Sequence, residues 1–371
     1  MIRRLYVHNF RCLENFELPI SRLSSVLLIG NNGSGKSTVR LALEILQKIA
    51  RGTNRVGELA KPKDLARNRT EVPMRIEIEV ELNSTTYEYV IAFEFPQGFK
   101  ELRVLEEKLQ VGGRPIYSRQ KAQVHLLKGS QPLEKEAEFS IDWHLVALPI
   151  VQEKSQTDPL FIFRQWLGRM IILQPVPSLI TGDSDQETLE PDTQGIRYGC
   201  WFAGLLAYAP AAYSKIDEYL KQVMPDLRDI KNPSIGKDSR SLFVQFSTGE
   251  GNLTVPFADL SDGEKCFMIA ALVLAASDAY GPLFCFWDEP DNFLALSEVG
   301  HFLVALRKGF KAGGQFIATS HNPEAIRRFS DENTLVLYRK SHLEPTIVRP
   351  LSEMPQNGDL IGAIIRGDLE P

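Results

Sequence analysis

Residues 25–50 read SVLLIGNNGSGKSTVRLALEILQKIA, and the centre of this stretch decides the fold. Gly30-Asn31-Asn32-Gly33-Ser34-Gly35-Lys36-Ser37-Thr38 fits the phosphate-loop pattern G-x-x-x-x-G-K-[ST] in full. Glycines are required because the backbone must curl tightly enough to aim successive N–H groups at phosphate oxygens. The preceding SVLLIG is a buried-strand run, and the following VRLALEILQKIA carries apolar residues at helical spacing. A strand, a glycine loop and a helix in that order place an anion at the helix N-terminus. Lys36 then reaches the β- and γ-phosphates of a nucleotide, and Ser37 coordinates Mg²⁺.

Working outward, LFCFWDEP at 283–290 supplies a matching element. Five apolar residues followed by Asp-Glu describe a parallel strand buried on both faces, with two carboxylates at the end where α/β sheets bind ligands. Asp288 is expected to hold Mg²⁺ through water and Glu289 to polarise the attacking water.

The third stretch is LSDGEK, residues 260–265. Ser261 and Glu264 form an S-x-x-E capping box for an apolar helix from about 262 to 277. Gly263 leaves bare backbone in the first turn, so Ser261, Gly263 and Glu264 also make a second anion site at a helix N-terminus. One nucleotide has a single γ-phosphate, already gripped by Lys36. A second grip makes sense when it comes from another copy, with ATP joining the two.

These three stretches together resemble the ABC-type ATPases, whose signature is LSGGQ or, in the chromosome-maintenance branch, LSxGE. Leu260, Ser261, Gly263 and Glu264 match the latter. The resemblance implies further residues. In ATSHNPE (318–324), His321 resembles the switch histidine that contacts the γ-phosphate. Asn9-Phe10-Arg11 resembles the opening of RecF, OLD-type and chromosome-maintenance ATPases, which makes Arg11 a candidate phosphate or ribose contact. Gln174 in RMIILQPVP is the candidate Mg²⁺-sensing lid glutamine, against a plain solvent-exposed one.

The segment DEPDNFLALSE departs from the pattern, with Ala295 where transporter-type enzymes carry an aspartate and Ala295-Leu296 in place of a common His-Pro. Cross-talk between the two sites, and the rate of turnover, are in question on that ground. About 86 residues separate Gln174 from Leu260, without heptads, too few for a long coiled-coil arm. The whole is similar to the compact AAA_21/RecF-like group, whose ATPases often act with a nuclease in defence against phage or in DNA repair. No Toprim domain follows His321, so a Toprim- or HNH-type effector is expected as a separate polypeptide. A transporter engine is the less favoured reading, because about 225 residues separate Lys36 from Ser261 and the signature has the LSxGE form. A nucleotide-locked scaffold with little turnover is the other alternative.

The remaining texture fits this frame. The 371 residues are 43% hydrophobic and 24% charged, with a formal net charge of -5, so DNA contact requires a local basic patch. The stretch RGTNRVGELAKPKDLARNRT (51–70) is the candidate for double-stranded DNA, with Arg51, Arg55, Lys61, Lys63, Arg67 and Arg69 against two acidic residues. Cys12, Cys200, Cys266 and Cys285 show no metal-ligand spacing and read as reduced residues of a cytoplasmic protein. No apolar run reaches a membrane span. From 72 to 141 a period of two argues antiparallel strands with one wet face, whereas 155–230 reads as helical. The expected organisation is an α/β ABC-ATPase head with a mixed or parallel core sheet around the phosphate loop (1–58 and 255–371), an antiparallel β subdomain (59–151) and a helical, signature-side lobe (152–254). The expected assembly is a homodimer through ATP.

Overall fold

The computed structural model describes residues 1–127, 135–249, 251–310 and 313–354. They form an α/β protein divided into two compact units. Unit one takes residues 1–23, 28–170 and the segment from Asp331; unit two takes Ser24–Leu27 and Ile171–Ser330.

The first unit is built on an eight-stranded antiparallel sheet. One of its inner strands is the period-two stretch MRIEIEVEL, strand Met74–Leu82, in which Met74, Ile76, Ile78, Val80 and Leu82 are buried. Alternation puts Arg75, Glu77 and Glu79 on the opposite, wetter face. There Arg75 bridges Glu77 at 2.5 Å and Glu106 at 2.7 Å, while Arg4 reaches Glu77 at 2.5 Å. Such half-buried ion pairs, within the strand and across it, each contribute a few tenths of a kcal/mol, up to about 1. Asn83 and Ser84, at φ 49° and 60°, make the two-residue turn into strand Thr85–Glu94.

One carboxylate breaks the wet-face rule. Glu107 is fully buried and accepts from the Tyr89 hydroxyl (3.0 Å), the Tyr117 hydroxyl (2.8 Å) and the Ala147 and Leu148 amides (2.7 and 2.8 Å). Four donors plus Arg119 at 3.6 Å satisfy the charge, and this pins 147–148 to the sheet.

Helix Lys36–Ala50 belongs to the same unit and buries Val39, Ala42, Leu43, Leu46 and Ile49 on one face. Gln47 Nε2 donates to the Met170 carbonyl at 2.5 Å and Arg51 Nε to that of Gly168 at 2.8 Å, which satisfies exposed carbonyls at the end of helix Pro159–Gly168. Antiparallel strands Thr334–Tyr338 and Ile347–Pro350 complete the unit.

In the second unit, strands Ile171–Leu173, Phe284–Trp287 and Gln315–Thr319 run parallel and are buried throughout. Continuous apolar runs of this kind belong in a sheet covered on both faces. Helices Tyr198–Tyr208, Ala212–Val223, Asp262–Tyr280 and Leu296–Gly309 accompany them. The stretch after residue 226 is not helical. Leu227–Lys231, Phe243–Thr248 and Gly251–Pro256 form a three-stranded antiparallel sheet. Cys200, Cys266 and Cys285 are buried free thiols, and burial pushes Cys266 up to about 12. Among the described residues no helix is long and apolar enough to cross a membrane.

Candidate functional site

The phosphate loop leaves strand Ser25–Ile29 and enters helix Lys36–Ala50 through two positions that only glycine fills. Gly30 has φ 144°, and a Cβ there would lie 2.0 Å from the Leu337 carbonyl oxygen. Gly35, at φ 105°, precedes the helix, and its Cβ would meet Thr346 Oγ1 at 2.8 Å and Cys12 Sγ at 3.0 Å. No side chain caps this helix, and its first turn carries no acidic residue. The positive end of its dipole therefore has no built-in anion. Lys36, a residue only 6% exposed, donates from its ammonium to the Gly30 and Asn31 carbonyls at 2.7 and 3.2 Å, so it lies along its own loop. The buried Ser34 hydroxyl has no hydrogen-bond partner among the described residues. Asn31, Asn32, Gly33 and Ser37 are exposed, and Thr38 is half-buried.

Two contacts brace the loop from a part of the chain that sequence reading passed over. The Thr346 hydroxyl donates to the Ser34 carbonyl at 2.8 Å, while the Thr346 amide donates to the Cys12 carbonyl at 2.9 Å. Arg339 reaches the Gly33 carbonyl at 3.3 Å. Nothing local in PTIVRP signals such a role.

Asn9 and Arg11 both sit in the left-handed region, at φ 52°. Asn9 is buried and stitches the following loop through the Arg69 and Val72 carbonyls and the Ala66 amide. Arg11 is half-exposed, with Nε 3.0 Å from the Asp64 carboxylate. The basic stretch around it is largely neutralised. Arg51 caps carbonyls, Arg55 faces Glu101 at 3.3 Å, and Arg67 and Arg69 share Glu14. Lys61 and Lys63 are exposed.

In the second unit, strand Phe284–Trp287 delivers Asp288 and Glu289 as expected for its type. Asp288 is 3% exposed and accepts from the Thr319 hydroxyl at 2.7 Å. The same hydroxyl accepts the Glu289 amide at 2.8 Å, so Thr319 laces the two carboxylate positions to the neighbouring strand. Glu289 takes φ 52°, an uncommon conformation for a non-glycine residue. Its carboxylate lies 3.7 Å from His321 Nε2 and accepts from Asn292 Nδ2 at 2.6 Å. Gln174 follows the parallel strand Ile171–Leu173, whose Leu173 pairs with Trp287 and accepts the Asp288 amide at 2.7 Å. This puts the exposed Gln174 at the strand end beside Asp288.

The LSDGEK turn also has the local form its spacing implies. Ser261 caps helix Asp262–Tyr280, its hydroxyl accepting the Glu264 amide at 3.3 Å and its amide donating to Glu264 Oε2 at 2.7 Å. Ser261 is exposed. Lys265 is buried and donates to the Pro177 and Ala258 carbonyls at 3.1 and 2.8 Å, which anchors the turn. A Cβ on Gly263 would stand 3.0 Å from the Phe293 carbonyl oxygen, so the segment after Glu289 packs against bare signature backbone.

The donor chemistry fits a nucleotide and a hard cation. An uncapped helix start, a buried lysine and an unpartnered buried hydroxyl suit phosphate oxygens. The Ser37 hydroxyl and the Asp288 carboxylate are oxygen ligands of the type Mg²⁺ accepts.

Comparison with known proteins gives a family and a fold. Residues 25–327 match the family model AAA_21, described as "AAA domain, putative AbiEii toxin, Type IV TA system". The OLD nuclease of Thermus scotoductus is 44% identical over 46 residues, a stretch that is 12% of this chain and 8% of that protein. The fold is similar to a crystal structure titled as the SmcHead bound to the C-winged helix domain of ScpA, with a TM-score of 0.55, 15% identity and coverage of 95% of this chain and 99% of that one. It is also similar to the Smc head domain with an extended coiled coil, bound to the C-terminal domain of ScpA derived from Pyrococcus furiosus, with a TM-score of 0.53, 13% identity and coverage of 95% and 97%.

Proposed function

The chain belongs to the AAA_21 family, and on that premise we propose that it is a compact RecF/OLD-like ABC-type ATPase that binds and hydrolyses ATP between two copies joined head to tail. The observation that carries the reading is the phosphate loop, with glycine-only backbone at Gly30 and Gly35 leading into an uncapped helix. Lys36 and the loop amides of Gly33, Ser34 and Gly35 bind the phosphates, with Asn31, Asn32 and Thr38 shaping the loop. Ser261, Gly263 and Glu264 of the second copy close on the γ-phosphate. Arg11, set by Asp64, serves the nucleoside side. Ser37, Asp288 and Gln174 would hold Mg²⁺, which would supply charge neutralisation at the transferring phosphoryl group. Glu289 takes a proton from the water that attacks the γ-phosphorus as ADP leaves, and His321, 3.7 Å from that carboxylate, orients it and the transferring γ-phosphoryl group.

Residues 1–58 with 255–371 would then act as the nucleotide-binding lobe, 59–151 as a β subdomain for partners and 152–254 as the signature-side lobe. The name of the OLD relative supports coupling to a nuclease, here a separate Toprim- or HNH-type effector in the cytoplasm, acting on double-stranded DNA in phage defence or repair. Capture of bound proteins from the native host, followed by their identification, tests that part. The competing reading, a nucleotide-locked scaffold, is favoured by Ala295 and by the Asn292 amide held on Glu289 at 2.6 Å. Steady-state phosphate release by the unaltered chain, Lys36→Ala and Glu289→Gln separates the two. Hydrolysis requires turnover that both variants reduce by at least about 100-fold; equal rates in all three would remove the catalytic assignment.

A further inference from the structure

We infer that Asp291 and Ser320 are positioning residues for hydrolysis, a buried carboxyl and hydroxyl that together fix the backbone on both sides of His321. The inference rests on the hydrolytic reading above and goes beyond it: Asp291 lies in DEPDNFLALSE and Ser320 in ATSHNPE, but neither motif gives either residue a role.

Asp291 is 7% exposed and Ser320 is 1% exposed. The Ser320 hydroxyl donates to Asp291 Oδ2 at 2.8 Å, and its oxygen accepts the Asn322 amide at 2.9 Å. Residue 320 is thus tied to the segment that follows Glu289, and residue 322 is folded back onto residue 320. His321, between them, has little freedom to swing. One residue earlier, Thr319 makes the equivalent tie to Asp288 and to the Glu289 amide. Two consecutive hydroxyls therefore lace the histidine segment to the carboxylate segment, one at each end of the Glu289-Pro290 step. The side chains of Glu289 and His321 are themselves 37% and 43% exposed, so their separation depends on how their backbones are held.

A purely structural role would leave Asp291 with all its hydrogen-bonding capacity used. Instead Asp291 Oδ1 is buried without a partner, while Oδ2 alone is engaged. Burial, with the Glu289 charge adding to it, holds this carboxyl above the usual carboxylate range, against the opposing hydrogen bonds from Ser320, from its own backbone and from the Asn322 side chain. A buried carboxyl kept at such cost, with the Ser320 hydroxyl as its donor at 2.8 Å and the Asn322 side chain also interacting with it, is best explained by where it holds residues 320 and 322. The same segment continues to Phe293, whose carbonyl faces Gly263. A shift of Asp291 would therefore be felt at the signature turn as well.

The test uses the full chain with Asp291→Ala, Asp291→Asn, Ser320→Ala and the Asp291→Ala/Ser320→Ala pair. Asparagine can still accept the Ser320 hydroxyl, so it should retain kcat within about threefold. The two alanine variants should each lose roughly 10- to 100-fold in kcat with KM for ATP unchanged, as small misplacements of catalytic groups do. The pair should lose no more than the worse single variant, because both act through one contact. The His321 imidazole resonances, assigned with His321→Gln, give a readout independent of turnover: they should move in both alanine variants and return in Asp291→Asn. Unmoved His321 resonances, or a Ser320→Ala chain with unaltered kcat, would overturn the inference. An unaltered chain that hydrolyses no more ATP than Lys36→Ala would overturn the hydrolytic reading instead, whatever the resonances do.

Discussion

Replacing Thr319 by valine isolates the lacing of the two carboxylates from everything else in the sheet. Thr319 is fully buried, and valine has nearly its volume, so no cavity opens. The change removes a donor to the buried Asp288 carboxylate at 2.7 Å and an acceptor for the Glu289 amide at 2.8 Å. A hydrogen bond to a charged group is worth about 1.5–3 kcal/mol, and a stranded amide costs about 1–3 kcal/mol. The valine methyl recovers a fraction of this, leaving a net loss of roughly 2–4 kcal/mol. Thr319→Ser keeps the hydroxyl and loses one buried methyl, about 1 kcal/mol. Urea unfolding followed by tryptophan emission is a suitable assay, since Trp287 immediately precedes Asp288. The expected order is unaltered chain, then serine, then valine, with valine at least about 1 kcal/mol below serine. Valine and serine variants of equal stability would refute the claim that this hydroxyl holds the carboxylate segment.

The other expectations are shorter. Gly35→Ala forces a Cβ at φ 105° to within 2.8 Å of Thr346 Oγ1, a strain of about 1–3 kcal/mol; affinity for a fluorescent ATP analogue should fall at least about tenfold, and an unchanged affinity would show that the loop relaxes freely. Asp291 is more easily protonated in the fold than in the unfolded chain. Its contribution is therefore complete below the unfolded carboxylate value and is lost as pH rises through the folded value. Asp291→Asn, which cannot ionise, should gain stability relative to the unaltered chain as pH rises from the unfolded carboxylate value through the folded one; a difference that stays constant with pH contradicts the shift. If 51–70 binds DNA, Lys61 and Lys63 should carry it, since Arg51, Arg55, Arg67 and Arg69 are engaged elsewhere. Neutralising the two lysines should then flatten the salt dependence of binding by about two counterions, and an unchanged slope moves the DNA surface elsewhere.

What was legible in the sequence was local. The phosphate loop, the FCFW run before Asp288 and Glu289, and the Ser261–Glu264 capping box each close within a few residues, so their spacing alone encodes them. The period-two stretch from Met74 likewise encodes its own strand. The supports of the site come from far along the chain: Thr319 lies about thirty residues from Asp288, and Thr346 about three hundred from Ser34. Their hydroxyls have no periodicity to betray them. Glu107 looked like one more wet-face acid, because alternation cannot foresee a carboxylate taking up two tyrosines and two amides from other segments. The 51–70 stretch looked like a positive patch for the converse reason, as Glu14 and Glu101 lie outside it.

The central claim is that ATP joins two copies of this chain, each supplying half of a pocket. Sedimentation velocity of the Glu289→Gln chain, with and without saturating ATP and Mg²⁺, measures it directly. The account expects monomer without nucleotide and dimer with it, and expects the dimer to be lost when Ser261→Arg is added. A chain that sediments as monomer under both conditions would contradict it.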